Sequence, residues 1–299
     1  MGISITGFSQ PGTDNRSLAI YYYNQEDYEK ALIYYTKLWE DTGSSSDFQK
    51  MYGCHVQLEH YKEAEKLIKK ELKKKNVQLY SYLLYGDLFM KQGLEDKALQ
   101  QYNQAIKQID SHHSFGQITK LANEFQVRSK VDLAIATYEK AKKTNMNPVA
   151  YNIRIGELYG AKGQTDLMIR EFLTMLETSQ GYQGQVQSAL TRSIDFKSDE
   201  KEVNTLKTEL IKLTQRHPNK FVYNEMLIWL FEQKGDFGAA FVQVKALDKK
   251  SGAAGEKVFD FGETCDNNEE YTLAIKAFQY IIDLGKEKTG YYRTANYRM

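Results

Sequence analysis

Apolar residues recur along this chain at spacings of three and four, in short blocks separated by polar turns. The clearest block is "YLLYGDLFMKQGLEDKALQQYNQAI", where Tyr85-Gly86 is followed by Phe89, a turn at Gly93, and then Ala98, Tyr102 and Ala105. That spacing predicts two amphipathic helices joined by a tight turn. With Ala98 as a ruler, the same unit recurs at Ala31, Ala64, Ala98, Ala134, Met168, Leu206, Ala240 and Ala274, with gaps of 33, 34, 36, 34, 38, 34 and 34 residues. Four residues after each ruler position stand Tyr35, Ile68, Tyr102, Tyr138, Phe172, Leu210, Val244 and Phe278. Small residues precede it by twelve at Ala19, Gly86, Ala122, Gly156 and Gly262. Turn residues separate the two helices, as in Asn24-Gln25-Glu26-Asp27, Lys162-Gly163-Gln164 and Lys234-Gly235-Asp236.

This pattern resembles the tetratricopeptide repeat (TPR), a helix-turn-helix unit of about 34 residues. In that family small residues at repeat positions 8, 20 and 27 let the helices approach, and bulky residues at positions 4, 7, 11 and 24 fill the space between them. The resemblance covers residues 13–288. It implies an all-α fold: a right-handed superhelical solenoid of antiparallel helix pairs, about eight repeats plus the start of a ninth.

The departures carry information too. Tyr52 and Met168 stand where small residues are usual, and in the sixth repeat, near 187–220, Ile194 and Leu206 replace both. The sixth repeat follows the longest gap and the connector "TSQGYQGQ". Two readings stand, a bend between repeats five and six or drift within one unit. Residues 289–299 read as the first helix of a ninth repeat, with Tyr292, Ala295 and Met299 at its packing positions. Either the chain is a fragment of a longer protein or this helix is an unusual cap. Residues 1–12 form a tail in which "ISITGFSQ" places Gly7 and Ser9 as a signal peptidase prefers, giving a periplasmic or secreted location with maturation near Gln10. The alternative is an ordinary terminus and a cytoplasmic protein.

Composition narrows the function classes. Lys plus Arg (40) balances Asp plus Glu (39), which argues against a protein held to nucleic acid by bulk charge. The three prolines suit a largely helical chain, and no apolar run reaches the roughly 20 residues that span a bilayer. Cys54 and Cys265 cannot build a disulfide framework. No phosphate loop occurs, the Cys54-His55 neighbours lack a second ligand pair, and "DNNEEYTLAIK" has Tyr271 where a calcium loop needs glycine. No catalytic residue, cofactor or metal is therefore expected. The basic run "KLIKKELKKK" at 66–75 reads as a solvated outer helix face, or as a contact for anionic lipid or an acidic partner.

In the resembled family the first helices line a concave groove. Repeat positions 2, 5, 6, 9 and 12 place Arg16, Gln49 and Lys50 there early. Tyr80, Leu83, Asp87, Lys120, Asn123, Arg154 and Glu157 follow in the middle, then Met226, Trp229, Glu232, Phe259, Asp260, Glu263 and Asp266. Trp229 and Phe259 are candidate aromatic anchors, unless a neighbouring repeat covers them. Lys120, Asn123 and Arg154 approach the carboxylate clamp of one family subset, but Leu83 and Asp87 do not fit it, so the expectation is at most an anionic peptide group between Lys120 and Arg154. The reading is a non-catalytic scaffold that binds a peptide or partner protein in the groove, in a bacterial cell envelope, with no nucleic acid partner. The alternative is the N-terminal sensor segment of a larger signalling enzyme such as a membrane-bound histidine kinase. RNA reading by related helical hairpins fits poorly with the period and the many carboxylates.

Overall fold

The computed structural model describes residues 14–75, 77–144 and 147–299. The tail 1–12, with its Gly7-Phe8-Ser9 stretch, lies outside the described residues. The described residues form helices joined by turns, with no strand among them. Eight antiparallel hairpins follow in order. They are α1 (Asn15–Asn24) with α2 (Tyr28–Thr42), α3 (Ser45–Gln57) with α4 (Tyr61–Glu71), α5 (Leu79–Lys91) with α6 (Glu95–Lys107), and α7 (Phe115–Val127) with α8 (Val131–Thr144). Then come α9 (Val149–Ala161) with α10 (Thr165–Thr178), α11 (Gln183–Ser193) with α12 (Glu200–Arg216), α13 (Val222–Gln233) with α14 (Phe237–Ser251), and α15 (Glu256–Asn267) with α16 (Tyr271–Leu284). A short α17 (Tyr292–Arg298) packs on α16 where the ninth first helix is expected.

The chain divides into two compact units between Thr144 and Asn145. The first holds α1–α8 and the second α9–α17, so the connector "TSQGYQGQ" lies inside the second. There Gln180–Tyr182 makes a 3-10 turn that runs into α11.

One local device closes seven of the eight first helices. The residue five before the ruler position, Glu26, Glu59, Gly93, Ser129, Gly163, Gly235 or Glu269, has positive φ. The next amide then donates to the carbonyl five residues back: Asp27 to Tyr22 at 3.0 Å, Leu94 to Phe89 at 2.9 Å, Lys130 to Phe125 at 2.8 Å. This is the Schellman closure, which caps the last free carbonyls and turns the chain sharply into the second helix. Glycine takes this conformation without penalty; Glu26, Glu59, Ser129 and Glu269 carry its cost.

Packing follows the register. Every ruler residue and every residue four beyond it is buried, from Ala31 and Tyr35 to Ala274 and Phe278. The glycines of the first helices lie against those aromatics. A Cβ at Gly86 would stand 2.3 Å from Tyr102 Cε1, and one at Gly156 would stand 2.3 Å from Phe172 Cε1. No side chain larger than hydrogen fits at that separation. Where Tyr52 replaces the small residue it is itself buried, and its hydroxyl donates to the Leu84 carbonyl of the next hairpin at 2.8 Å. In the second unit one continuous apolar core runs from Val149 to Ala295.

The sixth hairpin corrects one reading. Ile194 is not a helical packing residue, because α11 ends at Ser193 and Ile194 is extended, at φ −133° and ψ 126°. It is buried in a loop that spans 194–199, and α11 buries Ala189 instead. That loop has six residues against the three of the other hairpins, which accounts for three of the four residues by which the 38-residue gap exceeds 34.

Candidate interaction face

Within each unit polar contacts tie most first helices to the next; among the described residues none joins α11 to α13. In the first unit the Arg16 guanidinium on α1 donates to both oxygens of Asp47 on α3, at 3.0 and 2.9 Å. Asp47 is buried, and this pair holds its carboxyl below the usual carboxylate range. Tyr52 bridges α3 to α5 as described. From α7 to α5, Arg128 Nε donates to Asp87 Oδ1 at 2.8 Å and its Nη2 to Asp87 Oδ2 at 2.6 Å. Arg128 Nη1 also reaches Glu124 Oε2 at 2.7 Å, and Tyr102 Oη donates to Asp87 Oδ1 at 2.7 Å. Hydrogen bonds to two carboxylates keep Arg128 firmly charged.

The second unit repeats the arrangement. Arg192 on α11 lies 3.6 Å from Glu157 on α9, which also pairs with Arg154 at 3.1 Å. Lys257 on α15 pairs with Glu225 on α13 at 3.1 Å, and Arg298 on α17 pairs with Glu263 on α15. The same guanidinium lies 3.9 Å from Asp266.

Many residues expected to contact a partner are thus engaged with each other. Asp87 is half-buried and bonded to Arg128 and Tyr102. Arg16, Arg154, Glu157 and Glu263 each hold an ion pair. Lys50, Lys120 and Asn123 are exposed, while Tyr80 and Gln49 are half-buried. Asp260 is exposed and Glu232 is partly buried. Lys120 belongs to the first unit and Arg154 to the second.

Three expected face residues are corrected. Leu83 and Met226 are fully buried and Phe259 is 8 % exposed, so their side chains pack into the core and are not presented on the face. Phe259 lies against Phe278 and stacks on Tyr291 at 5.1 Å between ring centroids. Trp229 is partly buried, with Phe196 packed edge-on at 5.2 Å, so the long loop of the sixth hairpin covers one side of it.

The residues missed from the sequence are the ion-pair partners Asp47, Glu124, Arg128, Arg192, Lys257 and Arg298. A signal existed. Each inter-repeat pair joins opposite charges about one repeat apart, from 31 residues for Arg16 and Asp47 to 41 for Asp87 and Arg128.

The thiols of Cys54 and Cys265 are buried, and burial pushes them up to about 11 and about 12, which keeps both protonated. The same effect lowers the His55 pKa, so its ring is neutral near pH 7. Among the described residues no three His, Cys, Asp or Glu side chains are placed to hold a metal, and no helix is long and apolar enough to cross a membrane.

No family model and no curated protein matches this sequence. Solved structures similar to it include the C-terminal part of a TPR repeat-containing protein from Cytophaga hutchinsonii (18% identity, 94% of this chain and 99% of that chain, TM-score 0.31). A tetratricopeptide repeat protein from Parabacteroides merdae is 15% identical over 91% of this chain and 97% of that one, with TM-score 0.30. The TPR2AB domain of yeast Sti1 in a pHSP90 complex is 15% identical over 88% of this chain and 96% of that one, with TM-score 0.28. The hairpins themselves, with their period, their shared closure and their small-residue-to-aromatic contacts, carry the assignment of fold: the chain folds as all-α helical-hairpin repeats of the tetratricopeptide type.

Proposed function

We propose that this chain is a non-catalytic scaffold that binds a protein segment on the face formed by its first helices. The observation that carries the reading is the tying of neighbouring first helices by Arg16–Asp47, Tyr52–Leu84 and Asp87–Arg128 in the first unit, and by Arg192–Glu157 and Lys257–Glu225 in the second. Such ties hold a surface in one shape before a ligand arrives, which lowers the ordering cost of binding. Charged and aromatic side chains between the ties give selectivity.

Photocrosslinking tests this. A photoreactive residue at Asn123 or Arg154, on first helices, is compared with one at Lys66 or Leu99, on exposed second helices. Discrete protein adducts from the first-helix positions alone are expected in native cells. Adducts of equal yield from both sets overturn the assignment of the face. A cell-envelope location belongs to the same proposal and is carried by "ISITGFSQ" alone; recovery of the full-length N-terminus in the cytosolic fraction would refute it.

A further inference from the structure

The charge balance of the first unit's face points to a particular ligand class. Its first helices α1, α3, α5 and α7 carry the carboxylates Asp47, Asp87 and Glu124, and each is bonded to Arg16 or Arg128. The lysines of those helices, Lys50, Lys91 and Lys120, are exposed and have no carboxylate partner among the described residues. Every carboxylate on these helices is thus bonded to a guanidinium, and the two arginines and three lysines together exceed the three carboxylates by two positive charges. In the second unit the expected face residues Glu232 and Asp260 have no ion pair among the described residues.

Two of these lysines are held in place. Lys50 Nζ lies 3.9 Å from the centroid of the Tyr23 ring, and Lys120 Nζ lies 5.6 Å from that of Tyr80. In each case a lysine rests on a tyrosine of the preceding first helix. The contact restrains the ammonium without using its N–H donors on an acceptor. Lys50, Leu84 and Lys120 stand at the same repeat position, fourteen residues before Ala64, Ala98 and Ala134. They form a row across α3, α5 and α7, with a half-exposed leucine between two cations.

We infer that this row binds an extended acidic peptide segment with an apolar residue between two carboxylates, an inference that rests on the scaffold reading above. Two helix-to-helix steps of about 9 Å separate the lysines, which a chain in the extended polyproline II conformation spans in about six residues with every third side chain on the same side. The ligand therefore reads as acid, two residues, aliphatic, two residues, acid. Each carboxylate accepts from a lysine ammonium while the aliphatic side chain covers Leu84.

The test uses the full chain on an array of randomised twelve-residue peptides, with the wild type beside Lys50→Glu/Lys120→Glu. Both lysines are exposed, so the variant is expected to fold, and its helix content is checked by circular dichroism. The wild type is expected to select peptides with two acids about six residues apart around an aliphatic residue. The double variant is expected to bind those peptides at least about tenfold more weakly. Selection of basic peptides, or acidic ones held equally by the double variant, would overturn this inference and leave the scaffold reading standing. Lysine-dependent binding of poly-U RNA or anionic vesicles in preference to the selected peptides would also overturn it. An array on which no peptide is enriched would remove both.

Discussion

Glu232 sits near the end of α13, partly buried and with no cation bonded to its carboxylate among the described residues. Burial alone pushes its pKa up from 4.5 to about 6. The distance between those values corresponds to about 2 kcal/mol of stability. Its direction follows from which state holds the proton. Between about pH 4.5 and pH 6 the folded chain keeps a proton that the unfolded chain has lost, so stability falls as pH rises through this window and stays lower above it. Below the window Glu232 is neutral in both states and costs nothing.

Glu232→Gln keeps the shape and removes the charge. The variant is expected to match the wild type at about pH 4 and to exceed it by about 1–2 kcal/mol at about pH 7.5, with the change developing between. Urea denaturation of both proteins across this range, read by circular dichroism, gives the difference directly, and groups common to both cancel. A gain that is the same at every pH would show that the substitution acts through packing. No gain at about pH 7.5 would show that the folded carboxylate is solvated or paired, and the reasoning would fail. The neighbouring Cys265 thiol is pushed up to about 12 and does not titrate in this window.

Other substitutions test the packing and the ties. Gly156→Ala places a Cβ 2.3 Å from Phe172 Cε1 and is expected to cost about 1–3 kcal/mol by urea denaturation, whereas Gly184→Ala meets nothing within 4 Å and is expected to gain about 0.5 kcal/mol. Glu59→Gly relieves a residue held at φ 58° and is expected to stabilise by about 0.5–1 kcal/mol, read from the same denaturation midpoint. Arg128→Ala leaves half-buried Asp87 without its guanidinium and is expected to cost about 2 kcal/mol, with a coupling of at least about 1 kcal/mol in a double-mutant cycle with Asp87→Ala. A coupling near zero would mean that the pair does not tie α5 to α7.

The legible part of this chain is the part where one physical demand repeats. Two helices can approach closely only if a small residue faces a large one, so Gly86 against Tyr102 and Gly156 against Phe172 leave the same trace one period apart. The hairpin closure left half a trace. Gly93, Gly163 and Gly235 mark a left-handed residue, but Glu26, Glu59, Ser129 and Glu269 adopt the same conformation without a chemical label. There tertiary packing overrides local preference, and only alignment on the repeat shows the position. Ile194 was misread for the opposite reason. A fixed period was carried across a loop that had grown, which moved the count out of α11.

The face is harder to read because a charged residue at a face position has two fates. Asp87 and Lys120 are both expected face residues on neighbouring first helices, yet Asp87 is bonded within the fold and Lys120 has no carboxylate partner. Which fate applies depends on an opposite charge about one repeat away, so it is a property of pairs and cannot be read from one position. The more exposed pairs, Arg192–Glu157 and Arg298–Glu263, contribute only about 0–1 kcal/mol each. The hairpins would stack on their apolar cores without them. What the pairs change is selectivity: by bonding Asp47, Asp87 and Glu124, the two arginines leave the lysines of the first unit's first helices without a carboxylate partner. Reversing Lys50 and Lys120 therefore acts on ligand choice, while removing Arg128 acts on fold and ligand choice together by freeing two carboxylates onto the same face. Two arginines and three lysines of equal formal charge thus divide into one set that shapes the face and another that reads the ligand.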